Sequence, residues 1–315
     1  MSLIRKAAAV ALVAALPSLA SGADNDWQAR VAEALGKSGT AMPGNIYRVG
    51  LPRTDIKATL DGIELKPGFA LGGWLAFMRM GTPAAMASRA AESDTTVMGD
   101  LVLTGEEVGP VMQKLLDGGI AVTALHNHLL RNQPFTMYMH VLGTGDPVKL
   151  ATTLHTALAT SKTPLGPAPS GSSQQQAAPA TPPQIDLDTG AIDQTLGAKG
   201  TNNGGVLQYG IPRAEVIKES GMEVPPALGS ANAINFQQTG GGKAAITGDF
   251  ALTEKEIGPV MQALRTNGIE VTALHNHMLG EEPRLFFMHF WANDDAKKLA
   301  QGLRAALDKI NVKRG

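Results

Sequence analysis

The sequence predicts an α+β fold of two homologous domains, each an antiparallel sheet with two helices on one face, similar to a ferredoxin-like sandwich with extra N-terminal strands. Three observations predict it: a long internal repeat, strand-forming runs bounded by glycine-rich turns, and a helix-capping motif present in both copies. The repeat is clearest where Val122-Thr-Ala-Leu-His-Asn-His128 recurs unchanged as Val271 to His277. The two copies of this segment begin 149 residues apart, at Val122 and Val271. This spacing indicates duplicated domains, because solenoid units span only about 20–50 residues.

The elements are easiest to place in the second copy. Apolar runs between turn signals predict strands over residues 205–211, 231–237, 243–252, 269–278 and 285–292. Thr253-x-x-Glu256 is a capping box that starts a helix, and Thr104-x-x-Glu107 repeats it in the first copy. Asp294 or Asp295 is expected to cap the last helix.

The chain divides into four predicted segments: a signal peptide over 1–23, a first repeat over 24–159, a linker over 160–184, and a second repeat over 185–315. Arg5 and Lys6 precede a short apolar stretch, and Ser21-Gly-Ala23 suits cleavage. The apolar stretch is shorter than the ~20 residues that a membrane span needs. We therefore expect a periplasmic or secreted protein that keeps no membrane anchor after cleavage. The linker is rich in Pro, Ser, Ala and Gln, so each domain is expected to fold alone.

Composition excludes several classes of function. The formal net charge is -1, which disfavours nucleic acid as a partner. The chain contains no cysteine, so disulfides, thiolate metal sites and cysteine nucleophiles are excluded.

Six of the seven histidines fall into one repeated pattern, a His-x-His followed by a third histidine twelve residues later. Residues i and i+2 of a strand share a face, so His275 and His277 are expected to point the same way. We expect His275 to lie directly opposite His289 in the next strand, with His277 diagonal to both. Three imidazoles at that spacing predict a metal site with zinc as the first choice, and copper or nickel also suit imidazole ligands. The first repeat offers the same set as His126, His128 and His140.

A metal-free interpretation stays open beside this one. Paired histidines on a sheet face can be hydrogen-bonded surface or interface residues. Trp291, Phe287 and Tyr138 share the histidine face by alternation, which suits a metal-free module that stacks a small ligand or envelope component. A third interpretation is a structural protein whose repeats pack their sheet faces on each other.

The hairpin after the second His-x-His carries charges that the first lacks. Glu281 and Glu282 are candidate catalytic residues, as a fourth ligand, a base or an acid, and Arg284 is a candidate ligand-binding residue. The alternative is that these three side chains are solvated at the tip of the hairpin loop and have no role in chemistry. If the acids take part, the separate domain from Pro183 to Gly315 should bind metal more tightly than the one from Asp24 to Thr160.

Two further pairs of side chains have alternative roles. Arg213 and its counterpart Arg53 can clamp an anionic ligand, or they can pair with Glu215 and Asp55. Met139 and Met288 precede the third histidine of each set, and alternation places them in the core and not at a copper ion.

The sequence resembles the LppY/LpqO family of exported proteins. The resemblance is carried by Gly248-Asp-Phe-Ala-Leu-Thr253, by Glu256-x-Gly-Pro-Val260, by the segment from Gly268 to Met278 and by the segment from Glu282 to Trp291. It covers both repeats and is closer for the second. The resemblance implies export, and the missing lipobox cysteine implies a soluble periplasmic form, but it implies no reaction.

The leading hypothesis is a soluble periplasmic protein that binds a divalent transition metal through the repeated histidine site, with a metal-dependent hydrolase or lyase as its enzymatic form. Metal-activated water would then be the reactive group, with Glu281 or Glu282 as proton shuttle. The sequence leaves open whether the protein is an enzyme and which small molecule it takes.

Overall fold

The computed structural model describes residues 26–80, 95–166 and 183–313. The predicted signal peptide and residues 167–182 of the predicted linker lie outside the described residues. No helix in the described part of the chain is long and apolar enough to cross a bilayer.

Each repeat forms a six-stranded antiparallel sheet with helices on one face, which confirms the predicted α+β fold of two homologous domains. The elements of the first repeat are α1 (Asp26–Leu35), β1 (Thr40–Met42), β2 (Ile46–Pro52), β3 (Thr59–Leu60), β4 (Ile63–Glu64), α2 (Pro67–Ala70), β5 (Gly72–Arg79), β6 (Thr95–Thr104), α3 (Gly105–Asp117), β7 (Ala121–His126), β8 (Thr136–Gly145) and α4 (Pro147–Leu158). Its main sheet has the strand order β1-β2-β5-β6-β8-β7.

The second repeat follows the same plan. Its elements are α5 (Thr189–Leu196), β9 (Thr201–Asn203), β10 (Val206–Ile211), β11 (Lys218–Glu219), β12 (Met222–Glu223), a 3₁₀ turn (Pro226–Leu228), β13 (Asn232–Gly240), β14 (Lys243–Leu252), α6 (Glu254–Thr266), β15 (Glu270–His275), β16 (Glu281–Glu282), β17 (Phe286–Asp295) and α7 (Ala296–Leu307). Its main sheet has the order β15-β17-β14-β13-β10-β9, so equivalent strands occupy equivalent places.

The predicted helix starts are confirmed. Both capping boxes form, and the Glu256 carboxylate accepts a hydrogen bond from Thr253 N at 2.7 Å. Asp295 is the cap of α7 and accepts from Lys298 N, while Asp146 caps α4.

A third helix packs beside the predicted two in each repeat. In α1, Trp27, Val31 and Leu35 are spaced four residues apart and are buried, which anchors the helix on the core of the first repeat. The equivalent α5 buries Ile192 and Leu196. Both helices are short, and their apolar stripe of one residue per turn was too brief a signal to predict them.

The start of the predicted linker packs on the first repeat. Lys162 N donates to the Glu107 carboxylate at 2.8 Å, and Gly166 N donates to Gly36 O at 2.8 Å. Residues 160–166 are therefore part of the domain and not of the connection.

The sheet faces that carry no helices pack on each other, as the third interpretation of the sequence expected. Two buried apolar clusters draw on both repeats, and one of them brings Ile46, Ala76 and Met98 together with Ala251, Met278 and Phe287. Residues from both sequence halves therefore share two buried clusters, in contrast to the independent domains that the linker suggested.

Candidate metal centre

The His-Asn-His segments lie at the ends of β7 and β15. In the second repeat His275 pairs with Phe287, and Ala273 pairs with His289. The predicted pairing of His275 with His289 is therefore wrong by two residues. The strand ends at His275, three residues before its predicted end, so the connection to β17 is longer than predicted. An irregularity between Val271 and Ala273 also displaces Thr272 from the ladder.

The displaced threonines bind the opposite repeat. Thr123 Oγ1 donates to His277 O at 2.6 Å, and Thr272 Oγ1 donates to His128 O. The asparagines also bind the opposite repeat. Asn276 Nδ2 donates to Thr123 O at 2.9 Å. The heptapeptide that is identical in both copies is thus self-complementary across a pseudo-two-fold axis.

We expect Asn276→Ala to lower the free energy of unfolding by about 1–3 kcal/mol, because it removes the donor to Thr123 O and leaves a carbonyl between the repeats unpaired. The measurement is urea unfolding followed by circular dichroism. Gln262→Ala, which removes a hydrogen bond on the exposed face of α6, is the matched control and should change little. Equal losses in the two variants would show that the asparagine does not hold the repeats together.

All six histidines of the repeated pattern meet at this axis. Three ring stacks form, and each joins one histidine from each repeat. The centroid separations are 3.6 Å for His126 and His275, 3.8 Å for His128 and His289, and 3.8 Å for His140 and His277. The structure therefore brings together in one place the ligands that the sequence suggested for two separate sites.

Two carboxylates complete this histidine centre, which consists of the six histidines with Asp100 and Asp249. Asp100 pairs with His140 across β6 and β8, and Asp249 pairs with His289 across β14 and β17. Asp249 Oδ2 is 2.9 Å from His277 Nε2. Sequence reasoning did not assign the aspartates, although both lie in the middle of apolar strands at the same spacing from the histidines.

Three of the histidines have their Nδ1 atom next to a backbone carbonyl. His289 Nδ1 lies 2.8 Å from Gly248 O, His277 Nδ1 lies 3.3 Å from Gly229 O, and His126 Nδ1 lies 3.1 Å from Asn127 O. A ring nitrogen beside a carbonyl must donate, so the proton is on Nδ1 and the Nε2 lone pair faces the centre. A hydrogen bond from Nδ1–H to a carbonyl fixes the orientation of the ring, as it does in histidines that bind a metal.

Burial keeps five of the six imidazoles neutral. It lowers the pKa of His277 to about 3, although the charge of Asp100 acts in the opposite direction. It also lowers the pKa of His128, His140, His275 and His289. A neutral imidazole is the form that binds a metal, so no proton has to be displaced near neutral pH.

Nine buried nitrogen and oxygen atoms of the centre make no hydrogen bond of acceptable geometry in the described part of the chain, although one of them, His277 Nε2, lies 2.9 Å from Asp249 Oδ2. They are the Nε2 atoms of all six histidines, Nδ1 of His275, and Oδ1 of Asp100 and of Asp249. Each unpaired buried polar atom costs about 1–3 kcal/mol, so their concentration at one point calls for a common partner. Lone pairs from neutral imidazoles and carboxylates fit a transition-metal cation.

Among the described residues, three sets hold their ligand atoms within 4.8 Å of one another: His126, His275 and His289; His140, His275 and His277; and Asp100, His126 and His140. Two of the three sets combine both repeats, and His275 belongs to both of these.

The charged hairpin of the second repeat does not reach this centre. Glu281 lies in β16, where its buried carboxylate accepts from Leu285 N and from Arg284, both at 3.1 Å. Glu282 lies opposite Lys218 of β11. Neither glutamate belongs to the three ligand sets, and neither lines the cavity described below.

Arg213 is engaged inside the protein. Its guanidinium donates to Glu215, to Glu256 and to Ala251 O at distances from 2.7 to 3.1 Å. Arg53 makes the equivalent bonds to Asp55, Glu107 and Val102 O. Both arginines therefore pair with acidic residues inside the protein, which is the alternative to clamping an anionic ligand.

The aromatic side chains of the histidine face lie between the repeats. Tyr138 stacks on His128 at 3.3 Å, and Phe287 stacks on His277 at 3.4 Å. Trp291 is buried, and its Nε1 donates to Asp61 of the first repeat at 3.1 Å. A large ligand therefore cannot lie across this face.

A cavity of about 520 Å³ opens onto the histidine centre, and both repeats line it. Its wall includes Asp100, Asp249, His128, His140, His277 and His289. Arg48 and Trp74, which sequence reasoning did not single out, line it as well. Burial lowers the pKa of Arg48 to about 10 against the opposing charge of Asp100, so this guanidinium is cationic at neutral pH.

Two solved structures are similar to this chain. The trimeric bacterial microcompartment shell protein PduB is 11% identical, with 86% of this chain and 89% of that chain covered and a TM-score of 0.20. EtuB from Clostridium kluyveri is 10% identical, with 86% and 88% covered and a TM-score of 0.20. TM-scores of this size assign neither an architecture nor a role to this chain.

No curated protein matches the chain. A protein family matches it twice, over residues 29–160 and 190–309, which correspond to the two repeats. The chain therefore belongs to the family described as Domain of Unknown Function (DUF1259), and it carries two copies of that domain.

Proposed function

We propose that this protein binds a divalent transition metal in the histidine centre between its repeats and handles a small molecule in the adjoining cavity. The observation that carries the proposal is the set of nine unpaired buried atoms at one point. Fixed Nδ1 protons and neutral rings support it further, because they prepare Nε2 as a ligand before any metal arrives.

The donor set favours zinc as the first choice, with copper or nickel also suited. Imidazole nitrogen with carboxylate oxygen and no thiolate is common to all three. A bound ion of this kind supplies Lewis acidity and lowers the pKa of a bound water to about 7.

In a metal-dependent hydrolase or lyase, the chain's own proton carriers would be Asp100 and Asp249 and not the hairpin glutamates. Burial raises the pKa of Asp249, although the nearby His289 and His126 oppose the shift. Asp249 Oδ2 is within 2.9 Å of His277 Nε2, so a proton held there lies at the cavity wall.

A metal-free binding module is the second candidate, and the cavity favours it. A ligand with several hydrogen-bonding groups would satisfy some of the same unpaired atoms. The two candidates differ in their response to metal and to chelator.

Export to the periplasm is part of the proposal. Its supports are the signal-peptide pattern of residues 1–23 and the resemblance to the exported LppY/LpqO family.

We expect zinc to raise the melting temperature of the chelator-treated protein and His275→Leu to abolish the rise. Zinc at a thousand times its dissociation constant should contribute about 4 kcal/mol. His275 is the most informative position because it belongs to two ligand sets. Without metal, the variant should be at least as stable as the wild type, since leucine removes two unpaired buried nitrogens.

The measurement is calorimetric melting with EDTA and with excess zinc, combined with metal analysis of untagged protein. His155→Gln is the matched control, because this histidine lies on α4 and contacts Leu35 O away from the centre. No rise with zinc, copper or nickel in the wild type would refute the metal site and leave the metal-free module.

A further inference from the structure

The histidine centre is nearly symmetric, but the cavity beside it is not. Arg48 and Gln208 occupy equivalent positions on β2 and β10, opposite Ala76 and Asn235. Trp74 and Ala233 are likewise equivalent, since they pair with Asp100 and Asp249. The first repeat therefore supplies a cation and a large aromatic ring where the second has an amide and a methyl group.

Arg48 is held in place from two sides. Its guanidinium carbon lies 4.0 Å from the centre of the Trp74 ring, and Nη1 donates to Ala227 O of the other repeat. Trp74 is itself confined, because a Cβ at Gly229 would come within 3.0 Å of its ring. The cation is therefore preorganised and has donors left to face a ligand.

The charged residues that line the cavity indicate which class of ligand it can bind. Arg48 is the one arginine or lysine among the described residues that line the cavity, and the acidic groups there are Asp100 and Asp249. One guanidinium matches the single charge of one carboxylate, whereas a doubly charged phosphate would leave a charge unmatched at the Arg48 end of the cavity. Phe69, Tyr138 and Pro226 add apolar wall that suits a hydrocarbon body.

We infer that the cavity is a binding site for a small organic monocarboxylate, with its carboxylate on Arg48 and its opposite end at the histidine centre. The position of that opposite end rests on the proposed function, whereas the carboxylate subsite does not. The site would distinguish an acid from its amide, because the amide offers a hydrogen-bond donor where Arg48 needs an acceptor.

Benzoate and benzamide are suitable probes, since they differ in charge and hardly in shape. We expect benzoate to bind the zinc-loaded protein in isothermal titration and benzamide to bind at least about tenfold more weakly. Arg48→Gln places in the first repeat the residue that the second repeat has, and it should weaken benzoate binding about tenfold or more, a loss of about 1.4 kcal/mol. Zinc content should stay equal to that of the wild type.

Arg265→Gln, the same change on the exposed last turn of α6 away from the cavity, is the matched control and should leave benzoate affinity within about twofold. The benzoate affinity of Arg48→Lys, which keeps the charge but not the planar fork, should lie between those of wild type and Arg48→Gln.

The same titrations on chelator-treated protein separate the two proposals. Benzoate binding that depends on Arg48 without any zinc uptake would refute the metal centre and keep the carboxylate subsite. Absence of benzoate binding up to 10 mM, or equal affinity in Arg48→Gln, would overturn the subsite.

Discussion

We expect the two repeats to lose their structure when they are produced separately, as residues 24–166 and 183–315, and to recover it when they are combined. The sheet faces that meet between them are part of the interior. Phe287 and Ile46 lie in one shared cluster, Val206 and Tyr138 in another, and all four are at most 1% exposed. Exposing a side chain of this kind costs about 1.5–3 kcal/mol. A few such losses exceed the 5–15 kcal/mol by which a domain is usually stable.

The measurement is thermal unfolding by circular dichroism for each half, for the mixture and for the intact chain. A chain cleaved at a protease site inserted in the predicted linker is the control, because it has the same break without separation of the halves. Zinc titration should give strong binding to the mixture and weak binding to either half, since two of the three ligand sets need both repeats. Cooperative melting of one half with full zinc affinity would show that the repeats are independent. This expectation replaces the tighter binding predicted for the second domain alone.

We expect Arg213→Met to lower the free energy of unfolding by about 3–5 kcal/mol, which is the usual cost of removing one partner from a buried ion pair. Arg213 is 5% exposed and holds both Glu215 and Glu256, so the substitution leaves Glu256 with its charge and no cation. Arg265→Met, on the exposed last turn of α6, is the control and should change stability little.

The dependence on pH provides the second readout. Burial acts to raise the pKa of Glu256, but the hydrogen bonds from Arg213 and from two backbone amides outweigh it, so the folded-state pKa is lowered. The pair therefore stabilises the protein above the unfolded-state pKa of about 4.3, and this contribution is lost as pH falls further. In the Arg213→Met variant, burial still acts to raise the pKa of Glu256, but the arginine no longer lowers it. The pKa of Glu256 should therefore rise in this variant. The gap in stability between wild type and variant should then narrow as pH falls from 7 to 4. Urea unfolding at several pH values measures it, and a constant gap would mean that the loss comes from packing and not from the ion pair.

Local sequence signals predicted much of each repeat. Thr253 with Glu256 gave the start of α6, and Lys243 to Leu252 matched β14 residue for residue. Alternation placed His275, His277 and His289 on one face, and their rings do lie together.

The partner of that face could not be predicted from one repeat, because pairing between sheets leaves no local periodicity. The strands themselves carried a signal that both faces of the sheet are covered. In β6 Leu101, Val102 and Leu103 are consecutive and all buried, which is expected of a strand covered on both faces. Asp100 precedes this run as a charge inside a two-sided core, and such a charge indicates a site. The displaced Thr272 could not be foreseen, because its reason is a carbonyl of the other repeat.

The self-complementary heptapeptide also bears on how such a protein can diversify. Two free copies of a single repeat, related by a true two-fold axis, could build the same set of six histidines and two aspartates. In that homodimer every substitution occurs twice, so it would carry Arg48 on both sides of the cavity or on neither. Joining the copies in one chain removes this constraint, and here one side has Arg48 with Trp74 while the other has Gln208 with Ala233. The covalent link thus gives a symmetric scaffold a cavity with two chemically different ends.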